Sequence, residues 1–63
     1  MSKQIRRSVF NELKHNVKNG ITVHDLMIVT NSDEQDVVEA LKYFQENGIV
    51  EKLKDEERWY VTY

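Results

Sequence analysis

The chain has no cysteine among its 63 residues, and this absence excludes disulfide bonds and thiolate metal sites. It also lacks any apolar run near the roughly 20 residues that a membrane-spanning helix needs. Residues 1–4 lack the apolar core of a secretory signal. The sequence therefore predicts a protein without a membrane partner, located in the cytoplasm or in the interior of an infected host cell.

Charged residues make up 32% of the chain and apolar residues 40%, which is typical of soluble globular proteins and not of disordered or fibrous ones. A chain of this length predicts a single domain over residues 1–63 with one small core. Such a domain buries only about 60% of the surface that its unfolded chain exposes. We therefore expect modest stability unless a partner or a second subunit adds buried area.

The net charge of −2 conceals a strong segregation of charge along the chain. Residues 1–20 contain five basic residues and one acidic residue, whereas residues 21–50 contain six acidic residues and Lys42. The sequence thus predicts a basic helix followed by an acidic one. The overall pI of about 5.6 is far below the strongly basic value that is typical of a DNA-binding domain.

Apolar residues recur every four positions from Ile5 to Val17 and predict an amphipathic helix over residues 2–18. Asn19-Gly20 is expected to end it, because glycine adopts the left-handed cap without steric cost. If this helix is unbroken, four cations fall within about 60° of one another beside the apolar stripe. They are Lys3, Arg7, Lys14 and Lys18.

Thr22 with Asp25 forms a plausible capping pair for a second helix, from Val23 to about Val29. Ser32 or Asp33 can cap a third helix. Its predicted inward residues, at helical spacing, are Val37, Ala40, Leu41 and Phe44.

After Asn47-Gly48 the apolar period changes from that of a helix to that of a strand. The runs 49–53 and 59–63 predict two strands, joined by a polar turn that contains neither glycine nor proline. Alternation along the second strand predicts that Trp59 and Val61 close the core and that Tyr60 is more exposed.

This order of elements resembles the winged helix-turn-helix superfamily across nearly the whole chain. The resemblance is carried by Thr22-Val23, Leu26, Val37, Leu41, Gly48-Ile49-Val50 and Arg58-Trp59-Tyr60-Val61-Thr62. It implies an α+β fold with three helices followed by a two-stranded β-hairpin wing. It is weakly specific for function, because function is determined by the site and not by the scaffold.

Two features depart from the pattern of the superfamily. In the turn before the third helix, Thr30 and Ser32 replace apolar residues, and Asn31 replaces a glycine because Asn tolerates the left-handed conformation. Residues 27–29 then form an apolar run that a short helix cannot bury completely. The predicted third helix presents an outward face with an exposed Val38 and acids at Glu34, Asp36, Glu39 and Glu46.

The resemblance implies a small DNA-binding transcriptional regulator whose partner is double-stranded DNA. Basic residues of the first helix and the wing are expected to contact phosphates: Lys3, Arg7, Lys14, Lys18, Lys52, Lys54 and Arg58. Residues of the third helix are expected to contact base edges: Gln35, Glu39 and Lys42. A homodimer could place two wings along one duplex.

The acidic third helix favours a different interpretation, because four acids near a polyanion oppose binding. The chain could be a protein-interaction winged helix, such as an adaptor or a viral or phage inhibitor, that binds a protein and not DNA. Its interface would comprise Glu34, Asp36, Val38, Ile28 and Tyr60. The basic helix of one copy could also pair with the acidic helix of another.

Nothing in the sequence indicates catalysis. His15 and His24 lie on different predicted helices without a metal-binding or nucleophile motif around them. So small a domain also has little room for a substrate pocket of a few hundred cubic ångströms. We therefore expect no enzyme activity, no cofactor and no metal.

Overall fold

The computed structural model describes residues 3–53, 55 and 57–62. This part of the chain forms three helices and three strands, in the order α1 (Lys3–His15), β1 (Ile21–Thr22), α2 (Val23–Thr30), α3 (Glu34–Glu46), β2 (Val50–Lys52) and β3 (Arg58–Val61). The helices pack on one another beside an antiparallel sheet with the strand order β1-β3-β2. This is the α+β winged helix-turn-helix architecture that the sequence predicts, with one additional strand.

The additional strand is β1, which the sequence pattern identifies only as a short apolar link. Ile21 lies opposite Trp59, and Thr22 lies opposite Arg58. Because β2 pairs with the other edge of β3, with Val50 opposite Val61, β3 is the central strand. A strand of two residues cannot show the alternation on which a prediction from periodicity depends.

The first helix is shorter than predicted and ends at His15. The Asn16 side chain donates a hydrogen bond of 2.7 Å to the carbonyl of Glu12, and the Gly20 amide donates to the carbonyl of Asn16. Residues 16–19 therefore form a turn. Val17, predicted to continue the apolar stripe, is 56% exposed, and Lys18 lies outside the predicted helical strip of cations.

The structure confirms the predicted ends of α2. The Thr22 hydroxyl oxygen accepts a hydrogen bond of 3.1 Å from the Asp25 amide, which is the N-terminal cap. At the other end Asn31 adopts the left-handed conformation with a φ of 52°. The Thr30 and Ser32 hydroxyls donate to the carbonyls of Leu26 and Thr30, so polar contacts hold the turn between α2 and α3.

The third helix occupies Glu34–Glu46, with Asp33 as a cap residue whose side chain makes no capping hydrogen bond. The core comprises the buried residues Val9, Leu13, Ile21, Leu26, Val37, Ala40, Leu41, Phe44 and Val50. Trp59 and Val61 are half-buried and pack against this core, as predicted. In the part of the chain that is described, no helix is both long and apolar enough to cross a membrane.

Candidate nucleic-acid interface

The outward face of α3 carries a row of exposed polar side chains, opposite the buried residues of the helix. Four of them succeed one another at spacings of three and four residues, which places them on one face: Gln35, Glu39, Lys42 and Glu46. The Gln35 side-chain amide donates a hydrogen bond of 3.4 Å to the Glu39 carboxylate. The fold thus places the three residues predicted to contact base edges in one row.

The charges of this row are divided between its two sides. At about 100° per residue, the order across the face is Tyr43, Glu39, Glu46, Gln35 and Lys42. Tyr43 marks the side nearest α1, because the Arg6 guanidinium carbon of α1 lies 4.3 Å from the centroid of its ring. The two acids of the row therefore lie on the α1 side, and Gln35 and Lys42 lie farther from α1.

Val38 is half-buried, so the prediction that it is exposed was wrong. It lies about 60° around the helix from the buried Leu41, which brings it to the margin of the packed face. Asp36 is also half-buried. It lies on the side of α3 that faces α1, in a groove that Gln4 and Ser8 of α1 also line. Glu34 is exposed in the first turn of the helix.

A larger groove of about 740 Å³ lies between the end of α1, β1, α2 and β3. It brings together Ile28 and Tyr60, two of the residues predicted for a protein interface, but no residue of α3 lines it within the described part of the chain. The five residues predicted for that interface are therefore distributed over more than one surface. Ile28 and its neighbour Val29 are 64% and 53% exposed, as expected for the apolar run of α2.

Tyr60 is half-buried, as are Trp59 and Val61, although the sequence predicts that Tyr60 is the more exposed of the three. Its ring lies over the backbone of Gly20, where an added Cβ would lie 2.8 Å from two ring carbons. The pairing of β1 with β3 brings these two residues together. Because that pairing was not predicted, the position of Tyr60 could not be predicted either.

The described residues that are predicted to contact phosphates lie at the larger groove, at the end of β2 and on α1, and Lys52 of β2 pairs with Trp59, the chain neighbour of Arg58. Lys18 and Arg58 line the larger groove, where Arg58 Nη1 lies 3.4 Å from the carbonyl oxygen of Asn19. Lys52 is exposed at the end of β2. The remaining cations are on α1: Lys3, Arg7 and Lys14. Lys54 lies outside the described residues.

A mostly apolar cleft of about 290 Å³ lies between α1 and α3 and is lined by Lys3, Arg6, Arg7, Phe10, Tyr43 and Phe44. The Lys14 ammonium nitrogen lies 5.1 Å from the centroid of the Phe10 ring. The sequence alone predicts no role for Arg6 or Tyr43. The helical spacing of Tyr43 from Glu39 and Glu46 was the available signal, since it places an aromatic ring at the edge of a polar row.

No group of three or more histidine or acidic side chains within the described residues is arranged to hold a metal ion.

A scan against protein-family models found no match, and a search of curated proteins found none.

One similar solved structure is that of the Zalpha domain of ORF112 from cyprinid herpesvirus 3, reported for its binding mode to Z-DNA. The TM-score is 0.83, the sequence identity is 19%, and the match covers 98% of each chain. At this identity the similarity shows the fold, and the chain described here has a winged helix-turn-helix fold.

Proposed function

We propose that this winged-helix chain binds double-stranded DNA and that left-handed Z-DNA is the form it prefers. The observation that carries the proposal is the match over 98% of both chains to a domain that binds Z-DNA. Small domains of one fold can differ in function, so the proposal also depends on the residues of the site. For the biological role we propose regulation of transcription, as the resemblance to the superfamily implies.

The contact surface that we propose is the side of α3 that carries Gln35 and Lys42, together with Lys52 of β2. A helix inserted into an open major groove has phosphates on both sides, and Glu39 and Glu46 would be repelled there. A duplex that is met on its surface can instead contact the Lys42 side of the row, with Glu39 and Glu46 displaced toward α1 at the edge of the contact. This arrangement favours a duplex form that does not require insertion of the helix.

The test measures the fluorescence anisotropy of two labelled duplexes of equal length over a series of salt concentrations. One duplex is a modified C-G repeat held in the Z form, as verified by circular dichroism, and the other is B-form. We expect tighter binding to the Z-form duplex. Lys42→Ala should weaken binding and reduce the slope of log K against log salt by about 0.9, the value for one lost phosphate contact.

Lys42→Arg is the matched control, because it keeps the charge and should keep the salt slope. If neither duplex binds at low salt, the proposal is wrong. It is also contradicted if the wild type binds the Z-form and B-form duplexes with equal affinity and Lys42→Ala changes neither affinity.

A protein-interaction role is the second candidate, and one observation favours it. Ile28 and Val29 are largely exposed and line the larger groove together with Tyr60, so three side chains of the kind found at interface centres meet in a groove whose other lining is mostly polar. Ile28→Asp should abolish capture of a protein partner, whereas Lys42→Glu should not affect it. Loss of capture in both variants, or in neither, would contradict this assignment of the groove.

A further inference from the structure

Two strips of opposite charge lie side by side on the face formed by α1 and α3. The basic strip comprises Lys3, Arg7 and Lys14 of α1, and the acidic strip comprises Glu39 and Glu46 of α3, all of them exposed. Between the strips, Phe10 and Tyr43 form an aromatic seam.

The seam is continuous with the core on its inner side. The ring centroids of Phe10 and Tyr43 each lie 5.6 Å from that of Phe44, whose side chain is buried. On the outer side Tyr43 is 44% exposed, with the Arg6 guanidinium stacked over its ring. Aromatic residues and arginine are enriched at the centres of protein interfaces, and charged residues are enriched at their rims.

The two strips adjoin the seam on opposite sides. Tyr43 follows Glu39 by four residues and precedes Glu46 by three, so both acids are its neighbours on the surface of α3. Lys3 and Arg7 line the same cleft as Tyr43 from the α1 side, and no carboxylate is among the described residues that line this cleft.

We propose that this face binds a second copy of the chain about a two-fold axis that lies in the interface and runs along the seam. A two-fold interface uses the same patch on both subunits, so the patch must be complementary to itself. Opposite charges on the two sides of an axis meet this requirement, because rotation places the basic strip of each copy on the acidic strip of the other. Helix α1 of one copy then packs on α3 of its partner.

The adjacent acids favour a second copy over nucleic acid as the occupant of this face. A phosphate backbone on the basic strip would lie near Glu39 and Glu46, which would repel it. The second copy instead supplies cations to these two acids. A standard interface buries about 800 Å² per partner, which is about a sixth of the 4572 Å² surface of this chain.

The dimer has a consequence that depends on the proposed function. It covers Glu39 and Glu46 of α3, whereas Lys42 lies at the side of the row farthest from the axis. The repulsion between α3 and a duplex would therefore be smaller in the dimer than in the monomer. The dimer itself does not depend on DNA binding, and its test contains no DNA, so either proposal can fail without the other.

The test is a charge exchange measured by sedimentation equilibrium at low and high salt. One variant, Arg7→Glu with Lys14→Glu, makes both strips acidic at these positions. The other, Glu39→Lys with Glu46→Lys, makes both strips basic. We expect each variant alone to dimerise at least tenfold more weakly than the wild type, and the equimolar mixture to form a heterodimer. The wild-type dimer should weaken as salt rises.

Glu51→Lys with Glu57→Lys is the matched control, because it changes the same charge at two exposed positions outside the face. It should dimerise as the wild type does, and circular dichroism should show that every variant is folded. A wild type that stays monomeric at low salt and millimolar concentration would overturn the proposal. So would a mixture of the two charge variants that associates no better than either one alone.

Discussion

A side chain at position 20, where the chain has Gly20, would strain the backbone and clash with the Tyr60 ring. The φ of 69° at Gly20 is in the left-handed region, and an added Cβ would lie 2.8 Å from two carbons of the Tyr60 ring. Gly20→Ala should lower the free energy of unfolding by about 2 kcal/mol or more. The left-handed backbone costs about 1 kcal/mol for alanine, and the overpacking of the added methyl against the Tyr60 ring costs about 1 kcal/mol or more in addition. Urea denaturation monitored by Trp59 fluorescence measures this loss.

Gly48→Ala is the control for the backbone contribution. Gly48 has the same φ of 69°, but an added Cβ there would have no neighbour within 4 Å. We expect a loss of only about 1 kcal/mol for this variant. Equal losses at the two glycines would show that the Tyr60 ring moves aside at no cost.

At the scale of single residues, the sequence predicts those features that depend on near neighbours in the chain. Thr22 as a helix cap and Asn31 in the left-handed conformation follow from local chemistry, and the structure confirms both. The contact of Gly20 with Tyr60 depends on a strand pairing between distant segments, and no local pattern contains it. The half-burial of Val38 was not predicted for the same reason, since it is set by tertiary packing.

At the scale of elements, α2 contributes one buried side chain to the core, and its half-buried Val23 and Met27 pack against that core. Of its residues, all of which are described, Leu26 alone is buried, whereas Ile28 is largely exposed. Leu26→Ala should lower the free energy of unfolding by about 2–5 kcal/mol, and Ile28→Ala should change it by about 0.5 kcal/mol or less. Denaturation in urea compares the two variants.

A domain of this size could unfold completely when Leu26 is truncated. Leu26→Met is therefore the companion variant, because it nearly conserves volume and should cost less than about 1.5 kcal/mol. Similar losses for Leu26→Ala and Ile28→Ala would contradict the described packing of α2.

The elements that the sequence predicts well are those with enough residues to show a period. The bounds of α2 and α3 agree with the predictions to within about one residue, because apolar spacing and capping residues mark both helices. The end of α1 was placed three residues too late, since Val17 continues the apolar period while the Asn16 side chain ends the helix. Strand β1 is too short to have a period.

At the scale of the whole molecule, the sequence shows that charge is segregated but not where the charges meet. The fold places Lys52 opposite Trp59, the chain neighbour of Arg58, and it brings Arg58 to Lys18 in the larger groove. It also brings the basic strip of α1 beside the acidic strip of α3. These juxtapositions depend on how the helices pack, and helical periods alone do not determine the packing.

The most direct test of the proposed function is an amide-resolved NMR titration of the labelled protein with a Z-form duplex at low salt. We predict that the amides of Gln35, Lys42 and Lys52 shift and that the shifts disappear as salt rises, since phosphate contacts release counterions. An unchanged spectrum would contradict DNA binding. Shifts confined to the larger groove around Ile28 and Tyr60 would contradict the proposed contact surface.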